Sequence, residues 1–177
     1  MKANVKDLSI LVIEKESLDL YLDFMTLIKS TTEHPEYLGD FTRDDLLYIL
    51  ENKGSIFLFK LGNVIVSTCM LIPTTKEQLK KYGLKLDYKK TIALGPQAVF
   101  EDLRGNGIQK YMIEKMEILS KDLGYDHMVF TVDPNNKASV NNIEQEGYQK
   151  VGTKEFTRSI RNIYYKDIWK RYLFCFL

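Results

Sequence analysis

The chain has 177 residues, of which 45% are hydrophobic and 28% charged, a globular composition that excludes a disordered polymer. Lys plus Arg is 25 and Asp plus Glu is 24, a net charge of +1, which argues against a nucleic-acid partner. At this length a single domain spanning residues 1–177 is expected, with a core large enough to need no staples. Cys69 and Cys175 lie far apart in apolar runs and read as buried free thiols. His34 and His127 form no cluster with zinc-ligand spacing, so no metal is expected. The first residues, Met1 to Asp7, lack a signal-peptide core, and no apolar run reaches the ~18 residues of a membrane helix. A cytoplasmic location with no membrane partner is the expectation.

Leu8 to Glu14 reads as a short apolar strand. Ser17 reads as the N-cap of a helix whose inner face is Leu18, Tyr21, Leu22, Met25 and Ile28. Ser30 to Asp40, with Pro35 and Gly39, reads as a loop. Thr42 caps a second helix carrying Leu46, Leu47, Ile49 and Leu50, which ends at Lys53-Gly54. Ile56 to Lys60 and Val64 to Ile72 form a hairpin with Gly62-Asn63 at its turn. Thr75 to Tyr82 predicts a short charged helix. Thr91 to Phe100 predicts a strand bulged or splayed at Gly95-Pro96, because proline removes a ladder donor.

A long helix is predicted from Ile108 to Lys121, with Ile108, Met112, Met116, Leu119 and Leu123 inward. Met128 to Val132 reads as a buried strand, and Asn136 to Glu146 as a helix ended by Gly147. Gln149 to Phe156 and Ile163 to Leu173 are the last predicted strands. Strand, glycine turn, helix, strand, helix and strand make a βαβ core with antiparallel strands around it. The apolar end, Tyr172 to Leu177, is expected to dock on its own chain, and a dimer contact stays open.

The stretch Val99 to Lys110 carries the chemistry. A strand ends, Arg104-Gly105-Asn106-Gly107 turns the chain, and a helix opens. Backbone amides at that helix end converge on one positive spot, suited to a phosphate or pyrophosphate. Gly105 and Gly107 let a ligand approach, and Arg104 and Lys110 add charge. An ordinary βα turn is the bland alternative. No Gly-Lys-Ser/Thr follows, so it is not a P-loop, and a third glycine for a dinucleotide fold is missing.

Arg104-Gly105-Asn106-Gly107-Ile108-Gln109 resembles motif A of the GCN5-related N-acetyltransferase (GNAT) superfamily, Arg/Gln-x-x-Gly-x-Gly/Ala after a splayed strand. Gln109 departs from the usual small residue. Asn136-Lys137-Ala138-Ser139 and Glu144-Gln145-Glu146-Gly147-Tyr148 are similar to the family's second motif helix. Val151-Gly152 and Tyr165-Lys166-Asp167 fall where its closing strands carry similar residues. The resemblance covers residues 90–173 well and residues 1–89 only in the order of elements. It implies an α/β (α+β) fold with a mixed, mostly antiparallel sheet of about seven strands, a splayed central pair and helices on both faces.

The resemblance also implies a transferase, an acetyl-CoA-dependent N-acetyltransferase acting on a primary amine of a small molecule, peptide or protein. Acetyl-CoA would be the cosubstrate. The backbone of Gln97, Ala98 and Val99 would bind its pantetheine arm. The run Arg104, Gly105, Asn106, Gly107, Ile108, Gln109 and Lys110 would hold its pyrophosphate. Asn136 and Ser139 would face the cofactor, with helix capping as their equal alternative.

No catalytic residue emerges. The family's frequent tyrosine acid falls on Ile143 here, and Ile92 to Phe100 holds no ionisable side chain. Glu101 and Asp102 read as solvated loop acids, and Asp133 is the nearer candidate for a base, with the turn Asp133-Pro134-Asn135-Asn136 as its favoured role. His34 lies in the loop where the family places its acceptor, as does Tyr37, and Tyr164 and Tyr165 lie in the closing hairpin. Solvation or packing is the commoner fate of such side chains. Two other readings stand: a non-catalytic acyl-CoA-binding or regulatory protein on the same fold, and an unrelated α/β domain for another phosphorylated ligand. A monomer and a homodimer are both compatible with the sequence.

Overall fold

A computed structural model describes residues 3–156 and 159–169. In chain order its elements begin with β1 (Leu8–Ile13), α1 (Leu18–Thr31), α2 (Arg43–Glu51), β2 (Ser55–Leu61), β3 (Val64–Pro73) and α3 (Lys76–Tyr82). β4 (Thr91–Leu94), β5 (Ala98–Val99), α4 (Ile108–Asp122) and β6 (His127–Val132) follow. α5 (Lys137–Gln145), β7 (Gln149–Phe156) and β8 (Ser159–Asp167) complete the described chain. The fold is mixed α/β, its eight strands pairing antiparallel except for the parallel pair β4–β6. Eight replace the expected seven or so because the predicted strand from Thr91 to Phe100 is two strands, broken around Gly95-Pro96. Among the described residues, no helix is long and apolar enough to cross a membrane.

The chain divides into two compact units. The first runs to Ile72 and resumes over Gly95–Met112. Its strands lie in the order β1, β2, β3, with β5 antiparallel on β3. Leu18, Tyr21, Phe24, Met25 and Ile28 recur at three- and four-residue spacing, so α1 buries one stripe. That stripe packs with Leu46 and Ile49 of α2 onto Ile13, Ile56, Leu58, Met70 and Ala98. Each such side chain stabilises by about 1.5–3 kcal/mol when fully buried. Alternation sends Phe57 and Phe59 to the other face of β2, where the Phe59 ring meets Tyr111 of α4 edge-on, centroids 6.4 Å apart.

Local chemistry ends these elements. Thr42 closes a capping box: its Oγ1 accepts from the Asp45 amide (3.2 Å), and Asp45 Oδ2 accepts from the Thr42 amide (2.8 Å). Ser17 stands at the N-cap position of α1 but makes no cap bond. Its hydroxyl accepts from the Glu14 amide instead, closing a 3-10 turn over Lys15–Ser17. α1 also runs on to Thr31, into the segment predicted as loop. Gly54 is required by space, since a Cβ there would lie 2.4 Å from Ile49 Cγ2 and 2.8 Å from the Ile49 carbonyl.

The second unit comprises Pro73–Leu94 and the chain from Ile113 onward. Its strands lie in the order β4, β6, β8, β7. Tyr164 and Lys166 share one face of β8. The Tyr164 hydroxyl donates to Glu144 of α5 (2.7 Å), and buried Lys166 pairs with buried Glu117 of α4. α4 buries the expected Ile108, Met112 and Met116 together with Ile113, Glu117 and Ser120, whereas Leu123 is exposed. The helix stops at Asp122, so Leu123 lies beyond the periodic stripe. β8 begins at Ser159 and ends at Asp167, earlier than the predicted Ile163 to Leu173. The expectation for Tyr172 to Leu177 lies outside the described residues.

Thr42→Ala should lower unfolding free energy by about 1 kcal/mol, the worth of a lost N-cap. Gly54→Ala should cost more, about 1–3 kcal/mol, because backbone atoms of Ile49 and Leu71 cannot retreat. Urea titrations of the two variants check the order.

Candidate active site

The site grows from the break at Gly95-Pro96, a cis peptide. Gly95 N–H donates to the Met70 carbonyl (3.0 Å) and Phe100 N–H to the Val66 carbonyl (3.0 Å). Between them Ala98 faces Thr68 and Val99 faces Ser67. Because Phe100 and Ala98 turn toward β3, ladder alternation turns the backbone groups of Gln97 and Val99 the other way. Among the described residues, those groups are left without a ladder partner on that side.

The chain next forms a 3-10 turn over Glu101–Leu103 and reaches the glycine loop. Gly105 has φ +78° and Gly107 φ +77°, so both occupy the left-handed region that glycine alone enters without cost. A Cβ at either position would meet nothing within 4 Å, so the requirement is conformational and the space above the loop is open. Tyr111 N–H donates to the Gly107 carbonyl (2.9 Å), which is the first turn of α4. The N–H groups of that turn point out of the helix end and into the open space.

Side chains pin the loop from three sides. Arg104 Nη1 donates to Glu101 Oε1 (3.2 Å), and Nη2 donates to Thr32 Oγ1 (2.9 Å), just past the end of α1. Asn106 Nδ2 donates to the Leu103 carbonyl (3.0 Å), while its Oδ1 accepts from the Ala3 amide (3.1 Å). Gln109 Nε2 donates to Gln97 Oε1 (2.9 Å), which ties the first turn of α4 to the strand break. Residues 97–99 and 104–110 are thus brought together within the first unit.

Other candidates sit elsewhere or are spent. Asn136 caps α5, its Oδ1 accepting from the Ser139 amide (3.1 Å), in the second unit. Asp133 Oδ1 accepts from the Asn135 amide (2.9 Å), a turn bond. Ile143 is a buried core residue. The exposed His34 bonds Glu36 (3.0 Å) and stacks on Tyr37, centroids 4.8 Å apart. Burial, reinforced by the Glu144 carboxylate, pushes the Tyr164 hydroxyl up to about 12. Tyr165 bonds His127 Nδ1 (3.2 Å). Among the described residues, no group of three metal-ligating side chains occurs.

One feature escapes sequence reasoning. Tyr21, Leu22, Met25, Thr26 and Lys29 of α1 line a small cleft with Gly39 and Phe41. Tyr21 is buried, and its hydroxyl has no hydrogen-bond partner among the described residues. Burial raises its pKa, so it stays protonated. In the sequence Tyr21 reads only as one more inward residue of an apolar stripe.

The acetyltransferase (GNAT) family profile matches residues 18–148, and the chain belongs to that family. A search of curated proteins by sequence finds no match. Solved structures share the fold. An N-acetyltransferase from Staphylococcus aureus is 19% identical, with TM-score 0.68 over 91% of this chain and 98% of its own. A putative acetyltransferase from Salmonella typhimurium, solved with its cofactor acetyl-CoA, is 11% identical, with TM-score 0.66 over 92% and 94%. The ribosomal-protein-S18-alanine N-acetyltransferase from Escherichia coli is 13% identical, with TM-score 0.67 over 91% and 94%.

Acetyl-CoA is the acetyl source of this family, and the open glycine loop fits its phosphates. Gly107→Trp displaces no neighbour but is strained by the positive φ, so it should lower the unfolding free energy by about 1–2 kcal/mol and, while still folded by circular dichroism, lose acetyl-CoA binding by titration calorimetry. Unchanged affinity would remove the loop from the site.

Proposed function

We propose that the protein transfers the acetyl group of acetyl-CoA to an amine. The observation that carries this reading is the pairing of an outward-turned strand with a left-handed glycine loop at a helix N-terminus. Arg104, Gly105, Asn106, Gly107, Ile108, Gln109 and Lys110 hold the pyrophosphate. The backbone of Gln97 and Val99 aligns the pantetheine arm, with Ala98 fixing the strand on β3. Asn136 and Ser139 enter the reading as the cap of α5.

In the reaction the amine nitrogen bonds to the thioester carbonyl carbon and the carbon–sulfur bond breaks. The amine gives up a proton, and the departing sulfur gains one. The chain's contribution is to position the reactants and exclude competing orientations. Water serves the proton transfers, because Ile143 stands where the family often has its acid and Ile92 to Phe100 holds no ionisable group. The cleft at Tyr21, Lys29, Gly39 and Phe41 receives the acceptor. A small-molecule amine and a peptide N-terminus are both within the chemistry, the second being the kind of acceptor named for the Escherichia coli structure.

The lack of an obvious acid also supports a second reading, a non-catalytic acyl-CoA-binding protein. Free thiol release from acetyl-CoA across a panel of amines and peptide N-termini separates the two. Release with at least one acceptor, lost in Gly107→Trp, supports transfer. Tight binding without release from any acceptor supports the regulatory reading. Tyr21→Phe should raise the acceptor KM several-fold and leave acetyl-CoA affinity unchanged; an unmoved KM would place the acceptor elsewhere.

A further inference from the structure

β1 is the edge strand of the first unit, and it is an unusual edge. It pairs with β2 along all six positions without a bulge, from Leu8↔Leu61 to Ile13↔Ile56. Among the described residues, no strand pairs with its other side. Edge strands are ordinarily blunted by charge, proline or a bulge. Here Leu8-Ser9-Ile10-Leu11-Val12-Ile13 contains none of these. Three of its large side chains are exposed: Ile10 at 42%, Leu11 at 36% and Val12 at 54%. The charges lie just outside the strand, with Lys6 and Asp7 before it and Glu14 and Lys15 after it, all exposed.

That arrangement is complementary to itself. Two copies of an edge strand pair antiparallel about a two-fold axis perpendicular to the sheet. The axis preserves the face of the sheet, and directly opposed residues must share a face. A residue of even number therefore meets one of even number, and odd meets odd. This excludes the register that would set Asp7 against Glu14 and Lys6 against Lys15. With Leu11 on the axis, Leu11 meets Leu11, Ile10 meets Val12 twice, and Asp7 meets Lys15 twice. All three exposed apolar residues are then covered by one another, and both strand ends carry opposite charges. Shifting the axis to Ile10 also opposes unlike charges, Lys6 against Glu14 twice, but it pairs Val12 with Leu8, which is already buried, and leaves Leu11 facing Ser9, so apolar cover decides the register.

We propose that the open edge of β1 binds the same edge of a second copy of this chain, in the register centred on Leu11. The dimer joins β1 to β1 and continues the sheet across the axis. Backbone hydrogen bonds supply attraction along the strand, the Ile10–Val12 and Leu11–Leu11 contacts supply the apolar cover that sets the register, and the Asp7–Lys15 pairs add unlike charges at both ends. Lys15 also bonds Glu51 of its own chain (2.7 Å), which holds it at the end of the strand.

Sedimentation equilibrium of the full chain, from micromolar to hundreds of micromolar, tests this. The natural sequence should show a monomer–dimer equilibrium weakened by molar salt. Ile10→Lys with Val12→Lys, both at exposed positions, should give a folded monomer throughout. Asp7→Lys should weaken the dimer about tenfold by setting like charges opposite each other, and adding Lys15→Glu together with Glu51→Lys, which keeps the pair within the chain, should restore it. A natural sequence that stays monomeric would overturn the proposal. So would a dimer that survives the double lysine variant, or a charge reversal that its partner does not rescue. A chain ended after Trp169 that dimerises where the full chain does not would assign the edge to the chain's own tail, and would likewise overturn it.

Discussion

The structure turns on the break in the strand between Leu94 and Ala98. β4 pairs in parallel with β6, whereas β5 pairs antiparallel with β3. A proline between them has no N–H to give, so no continuous ladder can cross this point. The consequence is functional. Gly95 and Phe100 fasten the new strand to β3 at its two ends, and the intervening residues must alternate. Alternation then turns Gln97 and Val99 outward, which in a regular central strand would be spent on a neighbour. The same short strand aims the chain into the glycine loop, so strand break and glycine loop are one device. The Gln97–Gln109 side-chain bond closes it, tying the break to the helix that the loop opens.

The near-zero net charge is consistent with that device. A polyphosphate ligand needs positive potential, and +1 spread over the surface would not provide it. The potential is local, arising from the amide-rich end of α4 and the Arg104 guanidinium. Glu101 lies against Arg104, but both are substantially exposed, so the pair is screened and weakly bound. On the proposed reading, a phosphate reaching Arg104 would displace a partner of small worth. Thr32 and Glu101 thus orient the guanidinium without consuming its charge.

Much of this was legible in the sequence where the cause is local. Thr42 with Asp45, the Gly62-Asn63 turn, the Thr75 cap and Gly147 after α5 each act within a few residues, and each element appears where those signals put it. The loop from Arg104 to Gly107 was legible for the same reason. Failures came where two local options compete or where the cause is tertiary. Ser17 is a good cap residue, but the Glu14 amide lies within reach and takes its hydroxyl. Leu123 continued the apolar spacing, yet α4 ends before it and the stripe ends too. Gly54 looked like a helix stop, whereas its necessity comes from the Ile49 side chain and carbonyl packed against it. The Tyr21 hydroxyl could not be found at all, because a tyrosine in an apolar stripe gives no sign of whether its oxygen has a partner.

That hydroxyl limits how the chain can handle protons. The acids that sequence brings near the second motif are engaged: Asp133 with its own turn and Glu144 with Tyr164. Glu101 is engaged with Arg104. Asp133 and Glu144 are held by geometry that a role as base would break, whereas Glu101 is held only weakly. Tyr21 differs, being buried with no partner, but its burial raises its pKa and keeps it protonated. A protonated buried phenol gives a hydrogen bond and does not take a proton. Its natural complement is an oxygen or a neutral amine lone pair, not an ammonium group. The cleft at α1 therefore offers a hydrogen-bond donor and no base, and on the proposed reading it would select and orient an amine that has already lost its proton to water.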